Sequence, residues 1–316
     1  MYRAPVLLRN GHLHTLYAAL LGRRARVPFE RERIETPDDD FLDLDWARRG
    51  SGRLLILSHG LEGSSGSRYI VNTAAVGLAA GWDILAWNMR GCSGEPNRRV
   101  YSYHSGKSED LATVIEHARA LSRYRRIGLI GFSVGGNITL RYLALAGESL
   151  PRELAGAATF SVPCDLAAAA THLSCPANYL YLRRFLTSLK RGIAAKARHH
   201  PGQLDLSGLQ RISSFHDFDS RYTAPLNGFP SAEAYWWAAS SAPLLARIRC
   251  PTLLVNAADD PLLPAACTPR PETLKGGAVA LECPLTGGHA AFLGGTGFWP
   301  ARRALDLLEG MLKRGP

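Results

Sequence analysis

The stretch Gly131-Phe132-Ser133-Val134-Gly135 decides the fold, because it places one serine among glycines at the end of an apolar run. The apolar residues Ile127–Ile130 precede it and predict a buried β-strand, and the run Val134–Leu145 that follows has helical character. A serine on so tight a strand-to-helix turn needs small neighbours, because its backbone is strained and the flanking elements pack closely. The turn lifts the hydroxyl clear of the sheet, so we predict that Ser133 is a nucleophile.

Apolar strand signatures alternate with helical ones on both sides of this turn. An opening β-region is predicted over Phe29–Trp46, and buried strands over Arg53–Ser58, Asp83–Trp87, Ala157–Val162 and Thr252–Val255. Helices are predicted over Tyr69–Ala80, Asp110–Leu121 and Leu305–Leu312. This alternation predicts an α/β fold with a mostly parallel central sheet and helices on both faces. We expect a single domain over residues 1–316, since no Pro- or Gly-rich linker divides the chain.

The alternation fails between about residues 164 and 237. This stretch is rich in Ala, His, Arg and Tyr, and two parts of it have helical character, near Tyr179–Leu189 and Ala232–Ala239. We interpret it as a helical lid inserted in the domain and packed over the strand ends.

A serine hydroxyl needs a base, and in this arrangement the acid and then the histidine follow the nucleophile in the chain. His289 is the one histidine beyond residue 216, and it lies in a glycine loop before the last predicted helix. The acid should follow the strand Thr252–Val255, where Asp259 and Asp260 are both candidates. Asp260 stands four residues before Pro264, a common spacing for such an acid, and is preferred; Asp259 stays open as the alternative.

The developing oxyanion would need two backbone N–H donors. We predict Val134, the residue after the nucleophile, and Leu61, in the glycine-containing loop that follows the strand Arg53–Ser58. A substrate pocket lined by His59, Phe132, Tyr179 and Trp236 is expected, although aromatic residues in lids more often serve packing. His59 precedes the serine in the chain, so it is expected to shape its loop rather than move protons.

Composition narrows the class of partner. Lys and Arg number 37 against 27 Asp and Glu, a net charge of +10, which favours anionic partners and allows peripheral contact with a membrane. Because the basic residues are dispersed without a zinc-finger or RRM signature, nucleic acid is excluded, and a solvated basic surface is the favoured explanation. The six cysteines form no CxxC pair and no metal-ligand spacing, so we predict no metal, reduced thiols and a cytoplasmic location.

Several segments together resemble the AB hydrolase 4 family of YheT-like α/β hydrolases. They are Asn10–Thr15, His59–Gly66, Asn88–Gly94, Tyr103–Gly106, the Ser133 turn, Phe218-Asp219 with Tyr222–Pro225, and Asp259–Pro261. Two positions depart from the family pattern: His14 replaces a usual Gln, and Asn88 replaces an Asp common in α/β hydrolases. The resemblance implies carboxylesterase activity in bacterial members, action on phospholipid or other acyl lipid esters in eukaryotic relatives, and no cofactor. It also implies that Ser133, Asp260 and His289 occupy the family's triad positions.

Two other functions compete with ester hydrolysis. In an acyltransferase, an alcohol would resolve the acyl-enzyme, but His104 is followed at plus five by Glu109 rather than by the Asp of the H-x-x-x-x-D motif. A non-catalytic binding protein on the same fold would usually have lost a triad member, and here all three residue types are present. The sequence leaves the ester, its acyl length and the oligomeric state open.

Overall fold

A computed structural model describes residues 2–294 and 297–313 and contains a mixed central sheet of eight strands in the order β1-β2-β4-β3-β5-β6-β7-β8. The strands are β1 (Glu30–Glu35), β2 (Phe41–Ala47), β3 (Arg53–Ser58), β4 (Asp83–Asn88), β5 (Arg126–Phe132), β6 (Leu154–Phe160), β7 (Thr252–Val255) and β8 (Val279–Glu282). The β2 strand pairs antiparallel with β1 and β4, and the other neighbours are parallel. The α/β fold with a mostly parallel sheet is therefore confirmed.

Each inner strand buries both of its faces, as a sheet covered on two sides requires. In β3, Leu54 and Ile56 belong to one hydrophobic cluster, while Leu55 and Leu57 belong to the cluster on the opposite face. The helices that flank the sheet are α2 (Arg68–Ala79), α3 (Ser108–Ala120), α4 (Val134–Ala146) and, after the insertion described next, α10 (Trp299–Lys313), whereas α1 (Gly11–Leu20) contacts the loop that carries His289. Side chains of α3 and α4 complete the first cluster, and those of α2 and α10 complete the second.

The segment between β6 and β7 is helical and contains no strand among its residues, all of which the structure describes. Its helices are α5 (Leu166–Leu173), α6 (Tyr179–His199), α7 (Phe215–Phe218), α8 (Ala224–Leu226) and α9 (Ala232–Ala239), followed by a 3-10 helix at Ala242–Arg247. We call residues 166–247 the helical insertion. It has a hydrophobic cluster of its own, to which Leu262 of the loop after β7 also belongs. The predicted lid, residues 164–237, coincides with most of it.

Most predicted elements differ from the structure by a few residues at their ends. The strand predicted over Ala157–Val162 lies instead at Leu154–Phe160, and α6 continues to His199, well beyond the predicted Leu189. The helix α1 and the edge strand β8 were not predicted. The prediction of a single domain over residues 1–316 includes residues 1, 295–296 and 314–316, which lie outside the described residues.

Within residues 2–294 and 297–313, none of the helices combines the length and apolar character that crossing a bilayer would need. The cytoplasmic location stays a prediction.

Candidate active site

Ser133 occupies a strained turn between β5 and α4. Its backbone has φ +53° and ψ −123°, outside the regions that side chains normally allow. The neighbouring glycines make this turn sterically feasible: a Cβ on Gly135 would stand 2.3 Å from the His59 carbonyl oxygen, and one on Gly131 2.7 Å from the Gly135 oxygen. The loop after β3 therefore packs directly against the Ser133 turn, as the sequence pattern predicts.

A continuous hydrogen-bonded chain joins the three predicted catalytic side chains. The Ser133 Oγ lies 3.0 Å from His289 Nε2, and His289 Nδ1 lies 2.9 Å from Asp260 Oδ2 and 3.1 Å from its Oδ1. Asp260 follows β7 and His289 follows β8, so adjacent strands deliver both loops to the end of the sheet where Ser133 lies. The His289 backbone N–H donates to Thr15 Oγ1 at 2.8 Å, which fixes the loop from the α1 side.

The two adjacent aspartates have different partners. Asp260 is buried, and besides facing His289 its Oδ1 accepts the Leu262 N–H at 2.9 Å. Asp259 instead accepts the Gly288 N–H at 3.0 Å with its Oδ1, and burial raises the pKa of this carboxyl. The geometry favours Asp260 as the partner of the histidine and gives Asp259 a place in supporting the His289 loop.

The two predicted oxyanion donors belong to segments that meet at Ser133. Val134 begins α4, so its N–H has no acceptor within the helix. The loop bearing Leu61 approaches closely, since a Cβ on Gly60 would stand 3.0 Å from the Ser133 Cβ. Both Leu61 and Val134 line the same cavity as Ser133.

A cavity of about 600 Å³ lies between the loops that carry Ser133 and His289 and the helical insertion. Ser133 and His289 open onto it, and apolar side chains of the insertion line it, including Leu166, Leu173, Phe185, Ile193, Phe218 and Trp236. A volume of this size is typical of small-ligand sites.

Three of the four predicted pocket residues lie elsewhere, and only Trp236 lines the cavity. Phe132 ends β5 and belongs to the hydrophobic cluster that α2 and α10 complete, where it packs on Tyr69 and Phe160. Tyr179 begins α6 on its solvent side and is 57% exposed. The prediction of these two as pocket residues is wrong.

His59 is fully buried and does not line the cavity, so its prediction as a pocket residue is also wrong. Its Nε2 accepts the Met89 N–H at 3.0 Å, and its Nδ1 lies 2.8 Å from the Gly60 carbonyl oxygen, to which the neutral ring donates. Burial lowers the pKa of His59 to about 4, so the ring stays neutral. This is the loop-shaping position that the chain order indicated.

Two polar contacts, one part-buried and one buried, join α6 of the insertion to the sheet side of the cavity. Glu62, beside Leu61, has φ +54°; it accepts a hydrogen bond from Tyr103 Oη at 2.9 Å and another from Ser188 Oγ on α6. Lys196, only 3% exposed, donates to Asn97 Oδ1 and, at 2.8 Å, to the Arg99 carbonyl. Burial lowers the pKa of Lys196 to about 8. Neither Glu62 nor Lys196 was predicted from the sequence, although Glu62 lies in the His59–Gly66 segment.

Asp219 is a third cavity-lining residue that was not predicted from the sequence, although Phe218-Asp219 is one of the segments that carry the family resemblance. Its Oδ2 accepts the Trp236 Nε1–H at 2.8 Å, and burial raises the pKa of its carboxyl to about 6. The sequence around Asp219 does not indicate that its carboxyl group is buried, because this burial depends on α9 folding over it.

A serine turn after β5, an aspartate after β7 and a histidine after β8 of a mostly parallel sheet define the α/β-hydrolase class. Comparison with known proteins agrees: the family model described as "alpha/beta hydrolase fold" matches residues 53–296.

Comparison with individual relatives assigns the chain to a narrower group within this class. It is 35% identical to "Putative esterase YheT" of Escherichia coli, over 91% of this chain and 85% of that one. It is 30% identical to human "Phospholipase ABHD3", over 95% of this chain and 75% of that one. The chain therefore belongs to the α/β-hydrolase family, in the AB hydrolase 4-like group that these relatives represent.

Among solved structures, an esterase of Pyrococcus furiosus, Pf2001, superposes with a TM-score of 0.61 over 98% of this chain and all of its own. At 15% identity, this likeness shows the fold alone.

Proposed function

We propose that this protein is a serine hydrolase that cleaves carboxylic esters through an acyl-enzyme on Ser133. The observation that carries the proposal is the chain from Ser133 Oγ through His289 to Asp260, with links of 3.0 and 2.9 Å, at the wall of a cavity that apolar side chains of the helical insertion help to line. Its relatives are named as an esterase and a phospholipase, which supports ester substrates.

The reaction would proceed in two half-reactions. His289 Nε2 takes the Ser133 proton as Oγ attacks the ester carbonyl, and the Leu61 and Val134 N–H groups stabilise the oxyanion. His289 then protonates the departing alcohol, and water attacks the acyl-enzyme by the same steps in reverse. Asp260 holds the proton on Nδ1, which leaves Nε2 free as the base, and stabilises the imidazolium that forms.

The substrate would be an ester with a substantial acyl group, and lipid or phospholipid esters are included in this proposal. Leucines and aromatic side chains of the insertion line the cavity beside Ser133, so burial of a hydrocarbon chain would contribute binding energy. The helical insertion, as the lid of this cavity, would set the acyl length that fits.

Replacement of the nucleophile tests the proposal. Ser133→Ala should lower the hydrolysis of p-nitrophenyl esters by about 10⁴-fold or more, because removal of a triad nucleophile leaves only binding and oxyanion stabilisation. Ser149→Ala, at an exposed serine, is the matched control. Wild-type rates in Ser133→Ala with an unchanged melting temperature would reject the proposal. Product analysis with an added alcohol distinguishes hydrolysis from the competing acyl transfer.

A further inference from the structure

The helix α1 is inverted relative to an ordinary surface helix, because its apolar side faces solvent. Leu13, Leu16, Tyr17 and Leu20 are spaced i, i+3, i+4 and i+7, so they share one face. Their exposed fractions run from 39% for Leu16 to 65% for Leu20. A surface helix in water normally turns such a stripe inward.

The opposite face of α1 is held against the catalytic loop and prevents the helix from turning over. Thr15 Oγ1 accepts the His289 N–H at 2.8 Å, and His14 Nε2 accepts the Leu293 N–H at 3.0 Å. Gly11 lies so close that a Cβ there would stand 1.8 Å from the Asp259 carbonyl oxygen. The outward direction of the leucines is therefore fixed by contacts with the active site.

Neighbouring segments extend this apolar surface. Val6 and Leu7, just before α1, are 73% and 85% exposed, and Leu21 follows it in an equally exposed position. At the other side, a contact of 3.3 Å between His12 Nδ1 and Tyr181 Oη brings α1 beside the start of α6. That start exposes Tyr179 and Leu180. We call the exposed apolar residues of positions 6–21 and 179–180 the α1 surface.

The segment that contains α1 carries basic residues and no acidic ones. Residues 2–29 contain no Asp or Glu. They contain five arginines, all exposed: Arg3, Arg9, Arg23, Arg24 and Arg26. On α6, Arg183 and Arg184 are exposed close to Tyr179 and Leu180. Exposed apolar side chains and exposed arginines in the same segments match the two layers of an anionic membrane surface, namely acyl chains and negatively charged headgroups.

We propose that the α1 surface is a docking site for an anionic lipid bilayer, with the leucines of α1 inserted at the headgroup boundary and the arginines on the headgroups. Because α1 contacts the His289 loop directly, docking would set the bilayer beside the catalytic loop. The proposal concerns binding alone and holds independently of the ester chemistry proposed above.

Vesicle co-sedimentation tests this with the full chain carrying Ser133→Ala, so that no lipid is consumed. Binding is expected to vesicles of equal parts phosphatidylcholine and phosphatidylglycerol, and to be at least about tenfold weaker to phosphatidylcholine alone. Leu13→Glu with Leu20→Glu should weaken binding by about tenfold or more, since two inserted leucines are lost. The matched control, Leu121→Glu with Leu145→Glu, adds the same charge at exposed leucines elsewhere and should bind normally.

A second pair of substitutions covers the case in which the glutamates disturb folding. Arg23→Ala with Arg26→Ala leaves the leucines in place and should still reduce binding to the anionic vesicles by about tenfold. Equal binding by all variants, or no binding by a folded wild type, would overturn the proposal. So would a dimer in sedimentation velocity that Leu13→Glu with Leu20→Glu dissociates, because a second copy would then cover the α1 surface.

Discussion

The assignment of the triad acid makes the sharpest prediction, because two adjacent aspartates stand at the site. In Asp260→Asn, the Leu262 N–H would keep the amide oxygen in the position of Oδ1. The amide NH₂ would then lie where Oδ2 is, 2.9 Å from His289 Nδ1. Two donors cannot face each other, so the ring would adopt the other tautomer and present a proton, rather than a lone pair, to Ser133. We expect kcat to fall by about 10⁴-fold, equivalent to about 5 kcal/mol of activation free energy.

Asp259→Asn is the matched control. Its amide oxygen would still accept the Gly288 N–H, and Oδ2 accepts no hydrogen bond from any described residue. Its effect on kcat should stay within about tenfold, because the substitution keeps the Gly288 hydrogen bond and changes only its acceptor from a carboxyl to an amide oxygen. The assay is steady-state hydrolysis of p-nitrophenyl butyrate, with melting temperatures to verify folding. The reasoning is refuted if Asp260→Asn retains a kcat within tenfold of wild type, or if Asp259→Asn falls as far.

Two further predictions concern stability. Gly135→Ala would place a methyl group 2.3 Å from the His59 carbonyl oxygen, so it should lower the free energy of unfolding by about 1–3 kcal/mol, measured by urea denaturation. Gly192→Ala is the control, because a Cβ there would have nothing within 4 Å and should not destabilise the protein. Asp219 has its pKa raised from 3.8 to about 6, so its contribution to stability is present at low pH and is lost as pH rises through 6. Wild type should therefore lose up to about 3 kcal/mol relative to Asp219→Asn between about pH 4 and pH 7, and parallel pH curves would contradict this assignment.

The elements whose residues are apolar on both faces could be predicted from the sequence. The strands β3 and β7 have the predicted ends because continuous runs such as Leu54–Leu57 have no other stable environment than the centre of a covered sheet. The edge strand β8 escaped prediction, since its four residues are only partly buried or exposed and carry no strong pattern. The helix α1 was not predicted, although Leu13, Leu16, Tyr17 and Leu20 have helical spacing; what the sequence pattern cannot report is that this stripe faces solvent.

The residues of the candidate site also fall into those that the sequence could predict and those that it could not. The positions of Ser133 after β5 and of His289 after β8 could be predicted, because the proposed chemistry restricts their local sequence and their order in the chain. The pocket could not, because it depends on which side of a strand or helix a residue faces: Phe132 directly precedes Ser133 yet packs in the cluster that α2 and α10 complete. Glu62 depends on Ser188, which lies 126 residues away, and no local pattern reports a contact of that kind.

The most direct test of the account is to identify the residue that a fluorophosphonate modifies. The nucleophile Ser133 should acquire a single covalent adduct, located on its peptide by mass spectrometry, and Ser133→Ala should acquire none at the same reagent concentration. His289→Ala should react far more slowly, because the hydroxyl then lacks its base. An adduct on another residue, or the absence of any adduct in folded wild-type protein, would contradict the claim that Ser133 is the nucleophile.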